Sequence, residues 1–380
     1  MRFLRSRVLF IAAIASLMAG GSLAVSDAAP AGASPLRIRV HCPADDLQAA
    51  INAAPIGATL LVDGTCTGSF SISKDLALSG PAVLSGGGIS MPLGVGPAAT
   101  VVLNDLTIQD GIGIDSFGGG LWNGGQLTLN RSTVTNNHAS SVGGIFNTGQ
   151  LTLNRSTVSH NSSTNGDGGG IFNCAASLHA YGLCTGAPGR LTLNESIVSD
   201  NVAGSGDGGG ILNDGQAVLT LNRSTVSGNT SGHNGGGINN NGTATLNQST
   251  VSNNSSTGGV TFWSGGGGIC NTGPTTLNDS IVRANHAAWL AGGIFAEGPM
   301  TINTSVVTGN SAGASGGGMV AWDGPTTVTN SVFSNNSDQG ATNNNPDNPA
   351  GVWVAPFHFA GFFTNNPSFT TTHSRYSNGD

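Results

Sequence analysis

The triplet Thr-Leu-Asn and its close variants return down the chain with the asparagine at Asn130, Asn154, Asn194, Asn222, Asn247, Asn278 and Asn303. The intervals between those positions are 24, 40, 28, 25, 31 and 25 residues. The unit is therefore about 24–25 residues with insertions in some copies, and self-similarity at such a period is the signature of a solenoid. Whole copies align around it: "GGIFNTGQLTLNRSTVSHN" begins at Gly143, "GGGILNDGQAVLTLNRSTVSGN" at Gly208 and "GGGINNNGTATLNQSTVSNN" at Gly235. An earlier stretch, "VVLNDLTIQDG" from Val101, reads as a degenerate copy.

Each copy has three short apolar beats. In one they are Ile145, then Leu151 and Leu153, then Val158. Leu-Thr-Leu alternates with period two, the geometry of a strand with one face in and one face out. The beats are too short for helices, and Asn, Gly and Ser between them are turn residues. Three strands and three turns in about 24 residues describe one coil of an all-β, single-stranded parallel β-helix, whose coils stack about 4.8 Å apart. A leucine-rich repeat would need a helix-sized apolar segment or a longer leucine framework in each unit, which this chain lacks.

The asparagines fall in three columns. The first is Asn123, Asn147, Asn173, Asn213, Asn240 and Asn271; the second follows Thr-Leu; the third runs from Asn137 through Asn161 and Asn201 to Asn336. Stacking turns each column into a ladder in which an amide donates to one coil and accepts from the other, and asparagine also tolerates left-handed backbone angles. Several are N-x-S/T sequons, such as Asn130-Arg-Ser. A repeat-locked asparagine needs no glycan to explain it, and the ladder is the preferred reading.

Composition narrows the classes. Charged residues make up only 8% of the 380, while 38% are hydrophobic, so the chain can build a core and is not a highly charged disordered segment. With one lysine, Lys74, and net charge −7, no basic patch is available for phosphates, and nucleic acid is excluded as a partner. Arg2, Arg5 and Arg7 precede an apolar run from Val8 to Ala19, and small residues including Ala31 to Ser34 follow. That is the layout of a secretory signal peptide, and the run is shorter than the ~20 residues of a membrane span. Five cysteines fit an oxidising compartment. The expected pairs are Cys42 with Cys66 and Cys174 with Cys184, leaving Cys270 as a small buried hydrophobe.

The expected organisation is a signal peptide over 1–33, an N-terminal cap of helix plus first strand over 34–68, about ten coils over 69–340, and a C-terminal cap and tail over 341–380. Caps are needed because an open coil stack exposes core and strand edges. Leu47, Ala50, Ile51 and Ala54 share one helical face in "PADDLQAAINAAPIGATLLV", and "GVWVAPFHFAGFF", Gly351 to Phe363, leaves the repeat and is rich in aromatics.

These residues carry a resemblance. The segment "DLQAAINAAPIGATLLVDGTCTG" resembles the N-terminal cap of the right-handed parallel β-helix proteins of the pectate-lyase-like superfamily, and the "GGGI" and "FSNN" beats resemble the GGA[ILV] and FxxN repeats of polymorphic outer-membrane-protein passengers. Cap and repeats together span most of 40–340. The resemblance implies a right-handed β-helix and leaves activity open, because that superfamily includes lyases, glycosidases, esterases and adhesins.

Three sets of side chains are candidates for chemistry. Asp167, Asp207 and Asn234 occupy the same register before the glycine run of successive coils. Two carboxylates about 5 Å apart with an amide oxygen suit Ca²⁺ or a retaining glycosidase, whereas the plain alternative is that they cap a tight turn. Trp122, Phe146 and Phe172 follow the inward residue of the first beat, so alternation turns them outward as an aromatic stripe suited to sugar faces; the plain alternative is that another segment covers them. The residues after the second asparagine column, Asp105, Arg131, Arg155, Glu195, Arg223, Gln248, Asp279 and Thr304, read as a solvated face in which Glu195 lies between two arginines, or as a groove for substrate carboxylates. No cofactor is required, and Ca²⁺ is an option only at the first set. Polygalacturonase-like paired aspartates with Gly-His-Gly, and pectin-esterase-like motifs, are missing from the sequence. The expectation is a secreted bacterial, monomeric, non-enzymatic β-helix that binds polysaccharide or a surface glycan, as an adhesin does. A polysaccharide lyase or glycoside hydrolase acting near Asp167 and Asp207, and a structural surface protein, are the alternatives.

Overall fold

Alternation places Leu151 and Leu153 inside at 1% and 0% exposure, while Thr152 between them stays half-exposed. This is the rule of the fold, a parallel β-solenoid with a single short helix among the described residues. The computed structural model describes residues 35–113, 118–174, 188–258, 265–338, 352–354 and 369–377. The signal-peptide segment 1–33 and Cys184 lie outside the described residues, as does most of 341–380. No helix among the described residues is long and apolar enough to cross a membrane.

One coil shows the plan. Its strands are Ile145–Asn147, Gln150–Asn154, Thr157–Ser159 and Ser162–Ser163. Each pairs in parallel with the same beat of the next coil: Ile145 with Ile171, Leu151 with Leu191, Val158 with Val198, Ser163 with Ala203. Repetition yields a broad sheet of 22 strands holding the second and third beats, a second sheet of 11 strands holding the first beat, and a third sheet of 9 two-residue strands. The fourth strand of each coil was hidden in the sequence because it has no apolar beat of its own. Leu, Ile and Val from the first two sheets fill one continuous core.

The asparagine ladders form. In the first column each Nδ2 donates to the next Oδ1 at 2.7 Å from Asn123 to Asn240. The column ends there, because Asn240 donates to Thr275 Oγ1 and leaves Asn271 Oδ1 without a partner. In the third column Asn201 Nδ2 and backbone N–H both reach Asn229 Oδ1, at 2.9 and 3.0 Å. The second column is half-buried and bonds at 2.8–3.0 Å.

The left-handed turns sit beside the column asparagines, not on them. Arg131, Arg155, Glu195 and Arg223, each following a second-column asparagine, have φ of 49–50°. His160 and Asp200, each preceding a third-column asparagine, have φ of 55° and 56°. A non-glycine residue there costs roughly 1–2 kcal/mol. The flanking side chains hold the turn: Ser156 Oγ donates to Asn154 O at 3.1 Å and accepts from Ser132 N at 3.1 Å. The same serine rank continues through Ser196, Ser224, Ser249 and Ser280, all buried. It was invisible from sequence because every coil carries several serines.

At the N-terminal end, Asp46 caps the helix Leu47–Ala53 by accepting from Ala49 N at 3.0 Å. Leu47 and Ile51 are buried against the first coil, and Lys74 Nζ donates to Asn52 O at 2.8 Å at the other helix end. Cys42 and Cys66 are disulfide-bonded, with Cα atoms 5.0 Å apart. In the C-terminal region, Val352–Val354 pairs with Met319–Ala321 and Phe369–Thr372 pairs with Thr326–Thr329. These stretches continue the sheets within the region 341–380 that was expected as a C-terminal cap and tail.

Candidate functional site

The turn before the glycine run is built from hydrogen bonds between coils. Asp167 Oδ1 accepts from Asp207 N at 2.7 Å, Asp207 Oδ1 from Asn234 N at 2.8 Å, and Asn234 Oδ1 from Gly265 N at 3.0 Å. The three side chains stand in register, and each caps the backbone of the next coil. The glycine that follows adopts positive φ, +65° at Gly168 and +64° at Gly208, where a side chain would be strained. The third glycine is needed for space: a Cβ on Gly210 would lie 2.6 Å from Gly237 O. Calcium at this turn would compete for the capping Oδ1 atoms, and two carboxylates with one amide fall short of the roughly six to eight oxygens it takes.

His233 adds a charge to this turn. Its Nδ1 lies 3.0 Å from Asp207 Oδ1. The hydrogen bond to Asp207 raises the imidazole's pKa, partial burial opposes the rise, and the charges of Asp207 and then Asp167 add to it. A histidine whose folded pKa lies above its unfolded value of about 6.5 stabilises the fold fully below that value. The contribution disappears as pH rises through the folded pKa. Urea midpoints should therefore fall as pH rises above about 6.5, and His233→Gln should flatten this part of the profile. A profile as steep in His233→Gln as in the parent would remove the pair from the account.

The aromatic positions turn outward from the core, but they are covered. Every residue of the strands Ile145–Asn147 and Ile171–Asn173 is buried, so the second sheet is packed on both faces there. Phe146 and Phe172 are 1% and 6% exposed, with ring centroids 5.5 Å apart. They form a cluster with Val142, Cys174 and Leu212, and Trp122 packs against it partly exposed. Stacking on a sugar needs a free ring face, and the two phenylalanines offer none in this arrangement. Cys174 is disulfide-bonded.

A second cluster further along the same face contains Cys270, Leu290, Phe295 and Val320, with Trp289 and Trp322 against it. Cys270 is 2% exposed, and burial pushes its thiol well up, which leaves it unreactive. Between the clusters Asn239 is 3% exposed and its Oδ1 has no partner. At the corner beyond, Glu297 sits one residue past Ala296, which pairs with Ala321, and Asp323 lies on the following coil. Burial first, then the charges of Asp323 and Asp207, raise the Glu297 carboxyl above the usual carboxylate range. Sequence reasoning missed this group because it lies outside the repeated columns; the one available signal was acidic residues on two successive coils beside Trp322.

On the broad sheet the turn residues pair as opposite charges. Arg131 Nε and Nη2 reach both oxygens of Asp105 at 2.8 and 2.7 Å, and Arg223 Nη2 reaches Glu195 Oε1 at 2.8 Å. The bond to Arg223 lowers the Glu195 pKa, and Arg155 adds a smaller effect of the same sign. These pairs are exposed, so they do little for stability.

No family model, curated protein or solved structure matches the chain. The architecture therefore stands on the coil geometry alone.

Proposed function

We propose that the protein is an extracellular, non-catalytic β-solenoid that binds polysaccharide or a surface glycan along its side. The observation that carries this reading is how the carboxylates at the glycine turn are employed: Asp167 and Asp207 each give an oxygen to the backbone of the next coil. The repeated functional surface is instead the outside of the broad sheet. There Gln126, Gln150 and Arg190 stand exposed at the first position of three paired strands, and Arg131, Arg155 and Arg223 follow the last position of such strands. Donors repeated at the coil pitch suit a polymer of repeating hydroxyls and carboxylates. The Cys42–Cys66 bond and the basic-then-apolar N-terminal sequence support an extracellular setting.

A panel of acidic and neutral polysaccharides tests the proposal, with binding, reducing ends and unsaturated products followed together. Binding without turnover, weakened in Arg155→Ala plus Arg190→Ala, is expected. Failure to retain any glycan removes the reading.

The enzyme alternative has one observation in its favour. A carboxyl whose pKa is raised by burial and a second carboxylate is what a glycoside hydrolase asks of its acid, and burial and then the charge of Asp323 on the next coil move Glu297 in that direction. If the panel yields reducing ends, Glu297→Gln should lower their rate by at least about a hundredfold. Full activity in that variant would exclude this pair.

A further inference from the structure

Some polar columns of this solenoid are bonded within themselves and others are not. The asparagine and serine ranks spend their hydrogen bonds on neighbouring coils. The threonines at the centre of the broad-sheet strands do not. Their rank starts at Thr128, passes through Thr152, Thr192, Thr220 and Thr245, and reaches Thr327 by successive in-register pairings without a shift. Each is part-exposed or exposed, and none of their hydroxyls bonds to a described protein group.

Two residues further along the strands from Gln126–Asn130 to Met300–Asn303 stands the second asparagine column. Its inter-coil bonds, such as Asn194 to Asn154 and Asn222 to Asn194 at 2.9 Å, hold the spacing of the coils. The face is thus a two-dimensional array of neutral hydroxyl and amide groups. Its repeats are about 4.8 Å along the solenoid and about 6.6 Å along the strand. Each threonine also presents a methyl group beside its hydroxyl.

We propose that this threonine–asparagine face binds ice. A surface that is uncharged at its centre, without a ring platform, and regular in two directions fits a ligand that is itself a neutral lattice on the same scale. The oxygen rows of ice are such a lattice. The array is fixed before binding by the ladders, so little ordering is left to be done at the surface. Liquid water can satisfy any one hydroxyl. Only the solid can satisfy the whole rank at once, which makes rank length the source of selectivity. A glycan chain repeats in one direction only, and the aromatic rings that would stack on it lie in the clusters of the second sheet. The inference takes the same broad sheet as the glycan reading but rests on the threonine rank, and ice activity and polysaccharide retention are separate readouts that tell the two apart.

The test uses the purified full chain in a nanolitre osmometer, with ice-crystal shaping and partition into a growing ice front as second readouts. Thr220→Tyr places a protrusion mid-rank, and Thr230→Tyr places the same protrusion on the two-residue strand of that coil in the third sheet, off the face. The parent should shape crystals and concentrate in ice. Thr220→Tyr should reduce thermal hysteresis by about tenfold or more through the clash, Thr230→Tyr should keep it, and both should melt with the parent. No crystal shaping by the parent overturns the proposal, as does an equal loss in both variants. If Thr220→Tyr instead abolishes polysaccharide retention, or a dimer seen by size exclusion, in a parent without ice activity, the face belongs to that other occupant and the proposal fails.

Discussion

Replacing Asn229 by leucine will lower the stability of the solenoid by roughly 3–5 kcal/mol, because several buried groups lose their partners together. Asn229 is 0% exposed. Its Oδ1 accepts from both the backbone and the side chain of Asn201, and its Nδ2 donates to Asn254 Oδ1 at 2.9 Å and Val198 O at 3.0 Å. Leucine matches the size but can neither accept nor donate. An unsatisfied buried polar group costs roughly 1–3 kcal/mol, and the added apolar contact offsets part of the sum. Urea denaturation followed by circular dichroism gives the size of the loss. Hydrogen exchange gives its location, because coils touch only their neighbours and loss of protection should concentrate around Asn201 and Asn254. Asn154→Leu is the control: its ladder is half-buried, water can replace the lost bonds, and about 1 kcal/mol is expected. Equal losses at the two positions would mean that the third column does not hold the coils together.

That contrast also explains which features were legible in the sequence. The Leu151-Thr152-Leu153 alternation declares its own burial, since period two allows one assignment once one face is apolar. Asn229 was legible for a related reason: an amide repeated at coil spacing can serve as donor and acceptor at once. Cys42 and Cys66 flank the first predicted element of the cap, and their pairing was expected from that placement. Other features depend on groups distant in sequence. Phe146 faces outward by alternation, as expected, but whether an outward ring meets solvent is decided by what packs over it, and no local pattern encodes that. Ser156 was hidden because its role is to accept a backbone N–H from Ser132, which any of several serines in the coil could have done on paper. Arg155 was read by its charge, yet its more constant property is a φ of 49° shared with its neighbours in the rank. The backbone conformation there is imposed by the Asn and Ser on either side, so it leaves no mark on residue type.

Truncating Phe146 to alanine separates a packing role from a binding role, and the expected result is a loss of about 3–5 kcal/mol in stability. The ring is 1% exposed and meets Phe172 at 5.5 Å between centroids. Removing it takes away the burial of a large apolar group and opens a cavity that Val142 and Leu212 can only partly fill. Trp122, which packs against the same cluster but remains partly exposed, should cost less when truncated. Had the ring been a sugar platform, the ordering would reverse: Phe146→Ala would weaken glycan retention with little effect on the urea midpoint, since an exposed side chain contributes little to folding. Measuring both quantities on both variants therefore decides the matter in one experiment. A Phe146→Ala protein that melts with the parent yet no longer retains a glycan would return the second sheet to the list of binding surfaces. A protein that unfolds early while its intact fraction still binds would leave the broad sheet as the surface that meets the ligand.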